Sequence, residues 1–141
     1  MFDSIWDCLT CVLYQKEGEG YILVKVESLS FGSIIVGGKK YRRDLILFPD
    51  GTVKKRKGSF WIFGSHRFKR EEIEELWRAG AEDIVIGTGT NSKAKLSNEA
   101  KSYAEQAQLQ LHTFPSYEAV LEFNCLVDNG KKVTAIIHVT C

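Results

Sequence analysis

"EDIVIGTGTNSKAKLSNEA", residues 82–100, decides the fold class. Ile84-Val85-Ile86 is a short apolar run without alternation, the pattern of a strand buried on both faces. Gly87-Thr88-Gly89 turns the chain, and a hydroxyl-rich loop follows. Ser97 then offers a good helix N-cap, with Ala100, Tyr103, Ala104 and Ala107 at helical spacing behind it. A buried strand leading through a turn into a helix is part of an α/β unit.

Working outward from this stretch extends the unit. Downstream, "LQLHTF" (109–114) reads as a second strand. Ser116 can cap a helix whose inner face is Ala119, Val120, Phe123 and Val127, and Asn129-Gly130 ends it. "KVTAIIHVTC" (132–141) is expected to be a last strand running to the final residue. Upstream, Ile73, Leu76 and Trp77 mark the inner face of a helix over about 69–79. Glu71 and Glu72 favour its dipole, Lys69 is a weak cap, and Gly80 suits its end.

Before that helix the signals are all strand. "YILVKVESL" (21–29) is rich in β-branched and apolar residues. "FGSIIV" (31–36) and "KYRRDLILF" (40–48) flank Gly37-Gly38, a pair suited to a tight hairpin turn. "FPDGT" (48–52) is a second turn, and "VKKRK" (53–57) is its returning strand. Four successive cations place that strand at an edge or on the surface. The order is therefore hairpins first, then α-β-α-β-α-β. That order implies a right-handed α/β unit with helices on the sheet faces and the hairpins covering the rest.

The 141 residues suffice for one domain. Residues 21–141 are read as that domain. Residues 1–20 are read as an appendage, a short helix or an extension from a start placed too early. No apolar run approaches the roughly 20 residues of a membrane span, and no basic stretch followed by an apolar run opens the chain, so a signal peptide is not expected. Cys8, Cys11, Cys125 and Cys141 do not form a secreted disulfide pattern, so a cytoplasmic setting is expected. The net charge of +1 hides a strong asymmetry. Residues 37–70 hold 11 bases and 2 acids, whereas residues 71–141 hold 11 acids and 6 bases.

Three motifs, in this order and spacing, carry a resemblance: Gly64-Ser65-His66, "IVIGTG" (84–89) and the tail "IIHVTC" (136–141). Together they resemble the MTH nine-three-eight-like domain family across roughly residues 26–141. The resemblance implies a three-layer α/β fold, with a central mixed sheet, helices and a β-hairpin layer on its faces. It implies little chemistry, because the family has no established catalytic activity; the expectation leans away from an enzyme, and no cofactor is expected. Its relatives include an adipogenesis-associated protein and a mitochondrial complex I assembly factor, which suggests an assembly-factor-like role. Residues 1–20 have no family counterpart, and "GSFWIF" (58–63) is more aromatic than the family pattern.

Several places can carry chemistry. The Gly87–Ser92 loop (Gly87, Thr88, Gly89, Thr90, Asn91, Ser92) sits at the carboxyl end of a buried strand, where open α/β sheets hold ligands. It fails the dinucleotide fingerprint, because Ser92 stands at the third glycine and no acid follows the next strand. A looser anion site from its amides and hydroxyls, with Lys93 or Lys95, stands beside a purely structural turn. His138 and Cys141 differ by three positions, so in an extended strand they face opposite sides and form no metal or nucleophile–base pair. His66 is a loop histidine that the fold can bring near them. No metal site is expected, and the Cys8–Cys11 pair has no second pair to complete one.

The basic stretch is the strongest interaction candidate. It comprises Lys39, Lys40, Arg42, Arg43, Lys54, Lys55, Arg56 and Lys57, followed by Phe60, Trp61 and Phe63. Arginine and aromatic residues are typical of protein-interface hot spots. The same residues can bind nucleic acid non-specifically. The expectation is a non-catalytic protein-interaction domain with a protein partner. Self-association is a further expectation, the acidic region of one copy meeting the basic hairpin of another. A small-ligand or anion binder or weak enzyme at the Gly87–Ser92 rim is the alternative, with nucleic-acid binding behind it.

Overall fold

The structure, a computed structural model, describes residues 25–56 and 67–141. The appendage 1–20 with Cys8 and Cys11 lies outside these residues, as do Lys57, Phe60, Trp61, Phe63, Gly64, Ser65 and His66.

The main sheet is built from β4 (Leu45–Leu47), β5 (Val53–Lys55), β7 (Asp83–Gly87), β9 (Leu111–Phe114) and β10 (Val133–Ile137). Their order in space is β5-β4-β10-β7-β9. The last strand, β10, is the middle one. It runs parallel to β7 and antiparallel to β4, so the sheet is mixed. The apolar runs exist because both faces are covered. Ile46, Ile84, Ile86 and Ile136 point into one core, whereas Leu45, Leu47, Val85, Ala135 and Ile137 point into the other. This alternation is the two-residue period of a strand, hidden in sequence because neither face is polar.

Helices α1 (Arg70–Arg78) and α2 (Asn98–Gln106) cover the isoleucine face through Ile73, Leu76 and Ala100. The opposite face carries α3 (Ser116–Asp128) and a three-stranded sheet of β1 (Val26–Ser30), β2 (Ser33–Val36) and β3 (Lys39–Tyr41). Asn124 ties these two together, its side chain exchanging hydrogen bonds with both main-chain groups of Val26 at 2.9 Å. The result is the three-layer arrangement that the sequence implied. A two-residue parallel pair, β6 (Arg67–Phe68) with β8 (Lys95–Leu96), had no sequence signal. Such short pairs are made by tertiary packing, here around the fully buried Phe68.

The tight β2–β3 turn is as read: Gly37 and Gly38 both have positive φ, 57° and 78°, as a two-residue hairpin of this twist requires. Ser97 caps α2, its Oγ accepting from the Ala100 amide at 3.1 Å. Ser97→Ala is expected to cost about 1 kcal/mol in a denaturant titration.

Four local expectations need correction. "KYRRDLILF" is not one strand; it breaks at Arg42-Arg43, and β3 and β4 belong to different sheets. The break lets Asp44 turn into the interior. Trp77 is 41% exposed rather than core: it lies at the margin of a face that Ile73 and Leu76 already fill. Ser116 is not a cap but the first residue of α3, with Pro115 at the cap position. Finally, β10 stops at Ile137, and residues 138–141 leave the sheet.

Candidate functional site

Five chain segments converge at one rim of the main sheet. Gly87 pairs with Ile137 and Phe114, so β7, β9 and β10 all finish there. Leu45 pairs with Ile137 and with Lys55, which puts Asp44 and Arg56 at the same end. Sequence reading located this rim from Gly87–Ser92 and named His138 and Cys141 beside it, and both lie against the loop; it did not single out Asp44, and it took Ser116 only for a helix cap.

The backbone amides of the loop are engaged by the chain itself, whereas Asn91, Ser92 and Lys93 are exposed residues. The Thr88 amide and hydroxyl both donate to Phe114 O, at 2.9 and 3.1 Å. The Gly89 amide donates to Ser116 Oγ at 2.8 Å, and that hydroxyl donates onward to His138 O at 2.5 Å. Thr90 N–H reaches Thr140 O at 2.7 Å, while Asn91 and Lys93 amides both reach Cys141 O, at 3.2 and 3.0 Å. Ser92 N–H closes on Gly89 O and Ala94 N–H on Thr88 O. Every amide from Thr88 to Ala94 thus has an acceptor within the protein. The converging donors resemble an anion cradle, but their acceptors are the chain's own 138–141 segment and its neighbours.

The glycines serve this close approach. A Cβ on Gly89, whose φ is 106°, would stand 2.2 Å from the Cys141 carbonyl carbon. A Cβ on Gly87 would meet Ser116 Oγ at 2.8 Å.

A buried charge network fills the other half of the rim. Asp44 Oδ2 accepts from Arg56 Nη1 at 2.9 Å and lies 2.7 Å from His138 Nδ1; Asp44 Oδ1 accepts from the Val139 amide at 3.0 Å. Arg56 also forks onto Glu72, from Nε at 2.9 Å and Nη2 at 3.1 Å, and Nη2 reaches Arg67 O at 2.9 Å. Its guanidinium stacks over the Phe68 ring at 4.7 Å. Arg56 and Asp44 are each only 3% exposed. A buried arginine is tolerated when its donors are paired in this way.

The Asp44 carboxyl is held below its ordinary value. Burial alone raises it, but the His138 hydrogen bond and charge, the Val139 amide and Arg56 together outweigh burial and favour the anion. A depressed carboxyl contributes stability that is fully present above the ordinary value of 3.8. That contribution is lost as pH falls through the lower native value. Acid titration of the unfolding free energy is expected to show this loss, and Asp44→Asn is expected to reduce its slope.

His138 continues to Thr140, with Nε2 and Oγ1 3.2 Å apart. Carboxylate, imidazole and hydroxyl in a row are the connectivity of a hydrolase triad. Here the His138 side chain is 8% exposed. The backbone donors that would stabilise an oxyanion are already engaged with Thr140 O and Cys141 O. The row therefore ties the 138–141 segment to β4 and β5.

His138 faces Asp44, and the Cys141 main-chain oxygen faces the loop. Among the described residues, no group of three or more His, Cys, Asp or Glu has metal-binding geometry. Two open grooves lie elsewhere. One of about 440 Å³ lies beside α2 and the start of β9; one of about 530 Å³ lies between the Phe48–Thr52 turn and Gly80.

The basic stretch divides. Arg56 is not a surface residue, because Asp44 and Glu72 hold it inside. Lys54 pairs with Glu75 at 2.5 Å, and Arg43 Nη2 donates to Arg56 O at 3.1 Å. Lys39, Lys40, Arg42 and Lys55 are exposed.

A family model described as "Protein of unknown function (DUF498/DUF598)" matches residues 26–138. Solved structures agree with it. The conserved hypothetical protein PH1505 from Pyrococcus horikoshii OT3 is 28% identical, with a TM-score of 0.68 over 83% of this chain and 99% of that one. MT938 is 29% identical, with a TM-score of 0.69 over 84% of this chain and 99% of that one. A Bordetella pertussis protein described as a Mth938-like domain shares the fold at 15% identity, with a TM-score of 0.59 over 89% of this chain and 90% of that one. The resemblance read from "IVIGTG" and "IIHVTC" is thus confirmed.

Proposed function

The chain belongs to the DUF498/DUF598 family of proteins of unknown function, with a Mth938-like fold, and from that premise we propose that it is a non-catalytic protein-binding module of an assembly-factor-like kind. The observation that carries this reading is the rim. The loop amides and the charged groups where an α/β fold would hold a ligand are spent on one another. The partner surface is the exposed cationic group Lys39, Lys40, Arg42 and Lys55, which suits an acidic face on another protein. A cytoplasmic setting belongs to the same proposal, on the cysteine pattern given above. No helix among the described residues is long and apolar enough to cross a membrane.

The test is affinity capture from source extract with the full chain. A specific protein is expected with the wild type. It is expected to be lost with the Lys39→Glu, Lys40→Glu, Arg42→Glu triple variant, whose thermal unfolding stays unchanged because these side chains are exposed. Recovery of no protein, or of nucleic acid alone with a steep salt dependence, would sink the proposal.

A further inference from the structure

We infer that the outer edge of β9 is a self-pairing surface, joining two copies of this chain into one continuous sheet about a two-fold axis. The two edges of the main sheet are not alike. The β5 edge carries Lys54 and Lys55, the kind of charge that discourages strand addition. The β9 edge is Leu111-His112-Thr113-Phe114, without a lysine, a carboxylate or a proline. Among the described residues, only β7 pairs with it.

The ladder shows which groups the edge offers. Ile84 N–H reaches Gln110 O at 3.1 Å, and Thr88 N–H reaches Phe114 O at 2.9 Å. Even-numbered residues therefore turn their main chain toward β7, and Leu111 and Thr113 turn theirs outward. An antiparallel copy centred on His112 would set Leu111 opposite Thr113 across the axis, with both N–H groups and both carbonyls matched.

Both flanks of this edge suit a second copy. On one side, α3 packs beside β9 and exposes Tyr117 (47%) and Leu121 (63%), one helical turn apart. On the other side the groove of about 440 Å³ has an apolar floor of Leu96, Leu109 and Leu111, with Lys101 and Glu105 on its wall. A wall with one cation and one anion is self-complementary under a two-fold axis, as isologous contacts require. A foreign peptide would need both charges supplied in reverse; a second copy brings them by symmetry.

Sedimentation equilibrium of the full chain tests this, independently of the partner proposed above. The wild type is expected at twice the 16.0 kDa chain mass. Thr113→Pro removes an outward N–H that the chain does not use internally, so the fold should hold. It is expected to weaken the dimer at least about tenfold, equal to about 1.4 kcal/mol. Thr113→Lys, at the same exposed position, is the second variant should proline disturb the strand. A 16.0 kDa species at all concentrations, or a dimer that survives both substitutions, overturns the inference. A monomer would leave the heterologous partner reading standing.

Discussion

Replacing Asp44 with alanine is expected to lower the unfolding free energy by about 3–5 kcal/mol, the range for breaking a buried, hydrogen-bonded ion pair from one side. The cost does not come from losing attraction alone. Asp44 accepts from Arg56, the Val139 amide and the His138 ring. Its removal leaves a guanidinium and an imidazole facing each other in a space that is nearly closed to water. Glu72 still neutralises Arg56, which keeps the loss from growing further. Against a total stability of about 5–15 kcal/mol, the change is a large fraction. Urea titration at neutral pH measures it. The control is Lys54→Met at the half-exposed Lys54–Glu75 pair, expected to cost no more than about 1 kcal/mol. Equal costs at the two sites would show that the buried network contributes nothing special.

Gly89→Ala is the second large effect. The residue has a φ of 106°, a region costly for side chains, and its Cβ would overlap the Cys141 and Thr140 main chain at 2.2 to 2.8 Å. Backbone strain of about 1–3 kcal/mol adds to overpacking of about 1–3 kcal/mol. The clash is with backbone, so no side-chain rotation relieves it. The expected response is displacement of residues 138–141 from the loop. That displacement should also weaken the His138–Asp44 contact, so Gly89→Ala and Asp44→Ala should be less than additive. Strict additivity in the double variant would show that loop and network act separately.

These two sites show where sequence reading worked and where it stopped. Ile84-Val85-Ile86 announced a buried strand, because only a covered strand tolerates such a run. Gly37-Gly38 and Ser97 announced their turn and cap through local chemistry. The rim loop was legible as a place and not as an occupancy. Its partner residues, Ser116 and Thr140, are 27 and 50 positions away, and no local pattern encodes such contacts. Asp44 carried a faint signal, since a lone acid opens the otherwise apolar "DLILF". Arg56 was masked by its neighbours, because four cations in a row look uniformly solvated. Only the approach of Asp44 and Glu72, 12 and 16 residues away, singles it out.

Nuclear magnetic resonance of the Thr90, Asn91 and Lys93 amides tests the closed rim most directly. If the chain's own carbonyls occupy this cradle, these amides exchange slowly with solvent. Their resonances then stay in place as inorganic phosphate is added. Fast exchange, with phosphate-dependent shifts that saturate at all three positions, would show an open anion site and contradict the non-catalytic reading.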